Sequence, residues 1–297
     1  MIASANDRNA KLLISKISHM QIIIKFYIFI FARPKMQKYN NYILKLALRG
    51  KGYNNYSSNL QKSGELKIIK KLGSLGLDII FDVGANSGMY TLAFLDITNA
   101  KVFAFEPMKK SFDLLVENTK KYDDRILAFN YALGDSERES LIYFNSESDQ
   151  LASLSKEVHA IPYVGKNNSN SVEVKVRTLD KVFDELRKLH LLNSIDVIKI
   201  DTEGFEYEVL QGANLLLITH PPKAIILEFN WHQLTRSQSL LNFSKLLNDY
   251  AVFQILPYGS GIFNVEVIKA ENNIYLYSNF VFVRKDCVQD FTNSKNI

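Results

Sequence analysis

Short apolar runs alternate with longer amphipathic stretches from about residue 64 to the end of the chain. Apolar runs of about four to eight residues predict buried strands, and the amphipathic stretches predict helices. The predicted strands are 78–83, 101–106, 126–133, 140–144, 172–176, 196–200, 223–228, 252–256 and 275–283. The predicted helices are 65–75, 87–97, 109–121, 179–189, 206–217 and 237–250.

Strands that alternate with helices in this way predict an α/β fold with a doubly wound, mostly parallel, Rossmann-like sheet. Such sheets bind ligands in the crevice at the carboxyl ends of their strands. The 297 residues suit one such domain with an extension. We expect a helical extension over residues 1–60 and the α/β domain over residues 61–297.

Residues 21–32 form the most apolar run of the chain, broken by Lys25 and flanked by basic residues. At about a dozen residues it is shorter than the roughly 20 that a membrane-spanning helix needs. We favour a helix that packs on the protein's own surface and ends near Pro34. Peripheral contact with a membrane is the main alternative. A secretory signal is disfavoured because the run is followed by a poor cleavage site.

The formal net charge is +5, and acidic and basic residues alternate through most of the chain. No basic run interleaved with aromatic residues is present, so we expect no nucleic-acid partner. Cys287 is the only cysteine, which excludes a disulfide within the chain and fits the reducing cytoplasm. We therefore expect a cytoplasmic protein, with membrane association as the alternative.

The first predicted strand of the α/β domain runs into a turn, Asp82-Val-Gly84-Ala-Asn86-Ser-Gly88. Gly84 permits a tight turn and close approach of a ligand to the backbone. Asn86 stands where a dinucleotide-binding turn has its second glycine. The carboxylate of Asp82 would repel a pyrophosphate and suit an ammonium or sulfonium ligand. The alternative is a plain strand–turn–helix connection in which Asp82 binds local amides.

Glu106 ends the second predicted strand, about 20 residues after that turn. This is the place for an acidic residue that accepts hydrogen bonds from both ribose hydroxyls. The alternative is an acidic residue that stabilises the start of the next helix. Together, Asp82 and Glu106 favour an adenosyl cofactor.

Five stretches resemble the FkbM family of S-adenosylmethionine-dependent methyltransferases. They are Phe81–Gly88, Ala104–Pro107, Arg177–Asp180, Ile198–Gly204 and Val209–Ala213. The resemblance covers residues 64–228 and implies a fold of the class I methyltransferase type with S-adenosylmethionine as cofactor. It also implies that the cofactor site is lined by Asp82, Gly84, Asn86, Gly88 and Glu106.

A second group of polar residues follows two later strands. Asp201 and Glu203 come after the strand 196–200, and Glu228 ends the next strand, with His232 just beyond. Asp201 and His232 are our first candidates for a general base, and Glu203 and Glu228 come next, as base, metal ligand or hydroxyl partner. Alternatively, Asp201 and Glu203 cap the following helix and His232 is a surface residue. We expect no metal, and a cation held by the three carboxylates is the less favoured alternative.

The stretch around Asp149, Gln150 and Ser153 is predicted to be a flexible lid over the acceptor. The family resemblance implies O-methylation of a hydroxyl on a small molecule, sugar, glycan or other natural product. One alternative is a catalytically silent module that binds an adenosyl ligand through the same fold. A nicotinamide-dependent oxidoreductase is less favoured, because Asp82 and Asn86 replace features of a pyrophosphate-binding turn.

Overall fold

The computed structural model describes residues 20–122, 124–145, 148–154 and 170–293. The chain divides into two compact units after Lys51. The larger unit takes in residues 52–60, which the sequence analysis assigned to the extension.

The smaller unit contains two helices, α1 (residues 20–31) and α2 (Gln37–Gly50). A 3-10 turn at Pro34–Met36 joins them, and Arg33 before the proline is extended. The Tyr27 hydroxyl donates to Asn40 Oδ1 at 2.8 Å, and Asn40 Nδ2 donates to the Phe31 carbonyl at 2.9 Å. Within the described residues, no helix is both long and apolar enough to cross a bilayer.

In the part that the structure describes, the larger unit contains twelve strands in two sheets. The strands are β1 (Ile79–Val83), β2 (Lys101–Phe105), β3 (Ile126–Phe129), β4 (Ala132–Leu133), β5 (Arg138–Asn145), β6 (Ser148–Ser153), β7 (Asn170–Arg177), β8 (Val197–Ile200), β9 (Ala224–Phe229), β10 (Tyr250–Leu256), β11 (Gly261–Asn264) and β12 (Ser278–Arg284). The large sheet has the order β11-β10-β12-β9-β8-β1-β2-β3, and the small sheet has the order β4-β7-β5-β6.

The predicted doubly wound, mostly parallel sheet is confirmed. Strand β1 pairs in parallel with β2 on one side and with β8 on the other, and the parallel pairing continues to β3 and β9. The antiparallel pairs of the large sheet are β9–β12, β12–β10 and β10–β11. All five residues of β1 are buried, as expected for a central parallel strand.

The chain leaves β1 toward β2 and β3 and later returns to the other side of β1 to form β8 and β9. The order of the strands therefore reverses between β1 and β8. In open α/β sheets this reversal creates a crevice at the carboxyl ends of the strands, where ligands bind.

Ten helices accompany the described strands of the larger unit. They are α3 (Leu60–Ser63), α4 (Glu65–Gly73), α5 (Met89–Ile97), α6 (Lys109–Thr119), α7 (Leu179–Lys188), α8 (Glu206–Gln211), α9 (Asn214–Thr219), α10 (Trp231–Thr235), α11 (Leu240–Leu246) and α12 (Val288–Asn293). Thr178 caps α7, since its hydroxyl accepts the Lys181 N–H.

Two predicted elements are interrupted in the structure. The strand predicted at 126–133 breaks at Asn130, whose side-chain amide donates to the carbonyls of Glu106 and Pro107. The helix predicted at 206–217 breaks into α8 and α9 at Gly212. A Cβ at Gly212 would lie 1.9 Å from the Gly134 carbonyl oxygen, so the break is where two backbone segments pack directly.

A buried carboxylate fixes the start of three central strands. Asp196 Oδ2 accepts the backbone N–H groups of Asp78 and Ile79 at 2.8 and 3.0 Å. Asp196 Oδ1 lies 2.9 Å from Lys223 Nζ, next to the start of β9. Hydrogen bonds to an ionised group are worth about 1.5–3 kcal/mol each. These contacts of Asp196 align the starts of β1, β8 and β9. The same alignment brings the carboxyl ends of the three strands together at the other edge of the sheet.

The turn after β1 makes a close contact that predicts a stability difference between two glycine substitutions. A Cβ at Gly84 would lie 1.8 Å from the Asp201 carbonyl oxygen, whereas a Cβ at Gly76 would meet nothing within 4 Å. Both residues have a positive φ, +77° and +67°. We expect Gly76→Ala to cost about 1–2 kcal/mol, the backbone penalty alone. Gly84→Ala adds the steric clash and is expected to cost about 3 kcal/mol or more.

Urea denaturation of the two variants measures this difference, because Gly76→Ala serves as the matched control for the backbone penalty. Equal free energies of unfolding for the two variants would show that the contact between Gly84 and Asp201 has no steric consequence.

Candidate active site

A cavity opens at the carboxyl ends of β1, β2 and β8 and encloses about 630 Å³, including the space at its mouth. Five of the nine residues singled out in the sequence line it: Gly84, Asn86, Glu106, Asp201 and Glu203. The topology therefore brings two separate sequence motifs to one cavity.

Glu106 is fixed at the end of β2 by the backbone. Its Oε2 accepts the Asn86 N–H and its Oε1 accepts the Met108 N–H, both at 2.8 Å. Burial raises the pKa of Glu106 to about 7, although the two hydrogen bonds oppose this rise. Each oxygen retains acceptor capacity beyond its single backbone bond. The carboxyl group thus both organises the turn and presents acceptors at the cavity wall.

The small sheet supplies an apolar wall opposite Glu106. Ile142 and Ala152 line the cavity from β5 and β6, together with Leu133 and Met108. Met108 and Ile142 also belong to the apolar cluster between the small sheet and the start of α6. An apolar wall facing a carboxyl group suits a ligand with a flat apolar part and a hydroxylated part.

Ser153, predicted in a flexible lid over the acceptor, lies instead in β6, where it is buried. Its hydroxyl donates to the Glu203 carbonyl at 2.7 Å and so attaches the small sheet to the loop after β8. The lid prediction is therefore wrong for Ser153. The side chains of Asp149 and Gln150 lie outside the described residues.

Asp82 lies behind the turn rather than in the cavity lining. Its side chain is fully buried, and its Oδ2 accepts the Thr91 hydroxyl at 2.6 Å. Its Oδ1 lies 3.6 Å from Lys199 Nζ and has no hydrogen-bond partner among the described residues. The expectation that this carboxylate attracts a cationic ligand directly is corrected, because a buried carboxylate requires a partner and Lys199 is that partner.

Lys199 is the central charge of the site, and sequence reasoning missed it. Its Nζ lies 3.2 Å from Asp201 Oδ2 and 3.4 Å from the Gly84 carbonyl oxygen. The same ammonium lies 4.7 Å from the centre of the Tyr90 ring. Burial lowers the pKa of Lys199, but Asp201 and Asp82 raise it by more, so the group stays charged. The signal in the sequence was a lone lysine within the fully buried strand β8.

Gly88 does not line the cavity. It precedes α5 with a positive φ of 91°, and a Cβ there would lie 2.8 Å from Leu115 Cδ1 of α6. The family resemblance implies that Gly88 lines the cofactor site. In the structure the lack of a side chain at Gly88 instead allows the start of α5 to pack closely against α6.

The loop from Asp201 to Gly204 is held by a carboxylate that the sequence analysis overlooked. Glu206 Oε1 accepts the backbone N–H groups of Thr202 and Gly204 at 2.9 and 3.1 Å. Burial raises the pKa of Glu206 to about 6, against the effect of these hydrogen bonds. No side chain caps α8, whose N-cap is Phe205. The alternative that Asp201 and Glu203 cap this helix is therefore wrong.

A chain of hydrogen bonds connects this loop to the end of β9. Gln233 Nε2 donates to Glu206 Oε2 at 2.6 Å, and the Asn230 N–H donates to Gln233 Oε1 at 2.7 Å. Asn230 Nδ2 then donates to Glu228 Oε1 at 2.5 Å. The spacing of Asn230 and Gln233 is that of a capping box, which the structure confirms for α10.

Glu203 in the cavity lining and Glu228 at the end of β9 are half-buried, and His232 next to Glu203 is buried. Burial, followed by the charge of Asp201, raises the pKa of Glu203 and of Glu228 well above the ordinary value. Burial lowers the pKa of His232 to about 4. His232 is 2 % exposed, so the alternative of a surface histidine is wrong.

The contact between His232 and Glu203 lacks hydrogen-bond alignment. His232 Nδ1 lies 3.4 Å from Glu203 Oε2, and neither ring nitrogen forms a hydrogen bond to the described residues. At neutral pH the imidazole is therefore uncharged and retains one free acceptor nitrogen.

No group of three or more His, Cys, Asp or Glu side chains in the described part of the chain is arranged to hold a metal ion. The alternative of a cation shared by Asp201, Glu203 and Glu228 therefore has no geometric support.

Two curated proteins and one solved structure illustrate what the chain is similar to. Hexuronic acid methyltransferase AglP of Haloferax volcanii is 32% identical over 136 residues, 46% of this chain and 49% of that protein. AMB antimetabolite synthetase AmbE of Pseudomonas aeruginosa is 28% identical over 159 residues, 45% of this chain and 8% of that protein. The chain thus spans about half the length of the first relative and a small part of the second.

The solved structure is an O-methyltransferase from Bacillus cereus in complex with S-adenosylhomocysteine. It covers 89% of this chain and 97% of its own chain, with 11% identity and a TM-score of 0.40. The model of the Methyltransferase FkbM domain matches residues 82–254, more than half of the 297 residues. The chain therefore belongs to the FkbM family of S-adenosylmethionine-dependent methyltransferases.

Proposed function

We propose that the chain transfers the methyl group of S-adenosylmethionine to an oxygen atom of a sugar, glycan or other hydroxylated acceptor. The observation that carries this proposal is the position of Asp201 and Glu203 on the wall of the cavity that Glu106 also lines. Carboxyl groups at the same cavity can bind a hydroxyl and accept its proton.

The residues present fit the cofactor. Glu106 would bind the two ribose hydroxyls through its remaining acceptor positions, and the apolar wall of Met108, Leu133 and Ile142 would contact the adenine. Gly84, which lacks a side chain, would let the cofactor approach the turn after β1. When bound, the cofactor supplies a methyl group that is already electrophilic.

Glu203 is the base that we favour. The Glu203 carboxylate would accept the proton of the acceptor hydroxyl, while the bound cofactor would supply the methyl group to the acceptor oxygen. A base works best when its pKa is close to the working pH, and burial raises the pKa of Glu203 in that direction. His232 was a stronger candidate for the base from the sequence. In the structure it does not line the cavity, and its Nδ1 lies 3.4 Å from Glu203 Oε2.

Asp201 would have a different role from Glu203, because it is paired with Lys199 at 3.2 Å. A carboxylate held in place by an ammonium can accept a hydrogen bond from the acceptor hydroxyl. Asp201 would therefore orient the acceptor oxygen. Positioning of this kind supplies a large part of the rate when two reactants must meet in line.

A sugar acceptor is supported by two observations. The relative AglP is by name a hexuronic acid methyltransferase, and hexuronic acids are sugar acids. In this chain the rings of Tyr56 and Tyr277 meet edge to face at 5.4 Å, and Asn279, the partner of Glu228 across the sheet, donates to the Tyr277 hydroxyl. Aromatic faces beside carboxyl groups offer both packing and hydrogen bonding to a sugar.

A direct test measures S-adenosylhomocysteine binding by calorimetry and methyl transfer to a panel of methyl glycosides, uronic acids and oligosaccharides by mass spectrometry. We expect binding at micromolar concentration and a mass gain of one methyl group on at least one sugar oxygen. Binding without transfer to any member of the panel would favour the catalytically silent alternative.

Replacement of the proposed base predicts a selective loss of rate. We expect Glu203→Gln to lower the rate of methyl transfer by about 10²–10⁴-fold, because the acceptor proton loses its recipient. Affinity for S-adenosylhomocysteine should stay within about twofold, since the turn after β1 is unchanged. Asp184→Asn, on the exposed surface of α7, is the matched control. Single-turnover assays that give Glu203→Gln the rate of the control would exclude Glu203 as the base.

The raised pKa of Glu106 predicts that cofactor binding depends on pH. The ionised carboxylate accepts ribose hydroxyls better than the acid, and its pKa of about 7 leaves it mostly protonated at pH 6. We therefore expect affinity for S-adenosylhomocysteine to rise by roughly tenfold from pH 6 to pH 8. In Glu106→Gln, titration calorimetry should give weaker binding and a flat profile. A rise with pH that persists in this variant would assign the dependence to another group.

A further inference from the structure

We propose that the N-terminal unit, residues 20–51, binds the surface of an anionic lipid bilayer through the apolar side chains of α1 and α2. This inference concerns only that unit and is independent of the proposed methyl transfer. It rests on the charge of the segment, on the exposure of its apolar side chains and on their arrangement along the two helices.

The segment from residue 20 to residue 51 contains basic residues and no acidic residue. Its positive charge exceeds the net charge of +5 of the whole chain, so the rest of the chain is net negative. The basic residues are Lys25, Arg33, Lys35, Lys38, Lys45, Arg49 and Lys51. A concentration of positive charge next to apolar helices is typical of segments that bind anionic lipids.

Both helices expose large apolar side chains and bury none. Phe26 and Phe29 are 66% and 70% exposed. The other exposed large apolar residues of the unit are Met20, Ile22, Ile23, Ile24, Tyr27, Ile28, Tyr39, Tyr42, Ile43, Leu44 and Leu46. An exposed apolar surface of this extent marks an interaction site in a protein that folds normally.

The arrangement of residues on α2 is that of an interfacial helix. Tyr39, Tyr42, Ile43 and Leu46 stand at positions i, i+3, i+4 and i+7, which places them on one face of the helix. Lys38, Lys45 and Arg49 lie on the flank of that face. Basic side chains in this position can extend their ammonium and guanidinium groups to lipid phosphates while the apolar face enters the bilayer.

The length of α1 and the positive charge of the unit favour the surface of a lipid bilayer over a membrane-spanning position or contact with a second copy of the chain. Helix α1 has about 12 residues and is about 18 Å long, well short of the roughly 30 Å of a hydrocarbon core. A second copy of the chain would bring an equally positive segment against this one, which opposes self-association. An anionic bilayer offers both the apolar interior and the complementary charge.

The test is sedimentation of the full chain with vesicles of phosphatidylcholine alone and of phosphatidylcholine mixed with phosphatidylglycerol. We expect at least about tenfold stronger binding to the anionic vesicles at about 0.1 M salt, and loss of most of this preference at about 1 M salt. Lys25→Glu combined with Lys35→Glu and Lys38→Glu should abolish the preference. Phe26→Asp combined with Phe29→Asp should abolish binding to both vesicles.

The matched control combines Leu215→Asp with Ile218→Asp on α9, two apolar residues that are 61% and 72% exposed in the larger unit. This control should bind vesicles as the unmodified chain does. All variants should keep their affinity for S-adenosylhomocysteine, which separates a lost lipid contact from a misfolded protein.

Three results would overturn the proposal. The first is equal binding to neutral and anionic vesicles, and the second is equal loss of binding in the α9 control. The third is a stable dimer in light scattering that the Phe26 and Phe29 substitutions dissociate, because the apolar surface would then be an interface between copies of the chain.

Discussion

The site depends on one buried ammonium group that is shared by two carboxylates. Lys199 lies between Asp82 of β1 and Asp201 after β8, and it also contacts the carbonyl of Gly84. Removing one partner of a buried ion pair typically costs about 3–5 kcal/mol, because the remaining charge is left without compensation. Without Lys199, the two strands on either side of the reversal would present two uncompensated carboxylates to each other. The turn after β1, proposed to receive the cofactor, and the loop after β8, proposed to face the acceptor, are therefore held by the same charge.

Around this centre, Glu106 and Glu206 have similar structural roles on opposite sides of the cavity. Each is a buried carboxyl group that accepts two backbone N–H groups of a loop and so fixes the shape of that loop. Glu106 holds the turn after β1, and Glu206 holds the segment that carries Asp201 and Glu203. Backbone amides that are bound in this way have few alternative conformations, so the cavity wall is organised before any ligand arrives.

Local patterns in the sequence were sufficient for the large sheet and for the positions of Gly84, Asn86 and Glu106 on the cavity wall. The apolar run before Gly84 and the acidic end of β2 lie within about 25 residues, and their geometry follows from one strand–turn–helix unit. Lys199 and Glu206 were missed because their roles depend on packing. The partner of Lys199 in β1 is more than 100 residues away, and Glu206 appears in the sequence as an ordinary helix-start residue. The burial of Asp82 and the second sheet also required contacts that no single stretch of sequence specifies.

The contact between Gly84 and the Asp201 carbonyl also bears on how the protein could change during evolution. Because the two backbones touch, neither the 84–88 turn nor the 201–204 loop can be enlarged without displacing the other. New acceptor preferences must therefore arise elsewhere, on segments that tolerate replacement. Tyr56, on the loop before α3, and Trp231, at the start of α10, are exposed aromatic residues outside this contact. Under the proposed function, changes in acceptor preference are thus expected away from the turn and the loop that would hold the methyl donor.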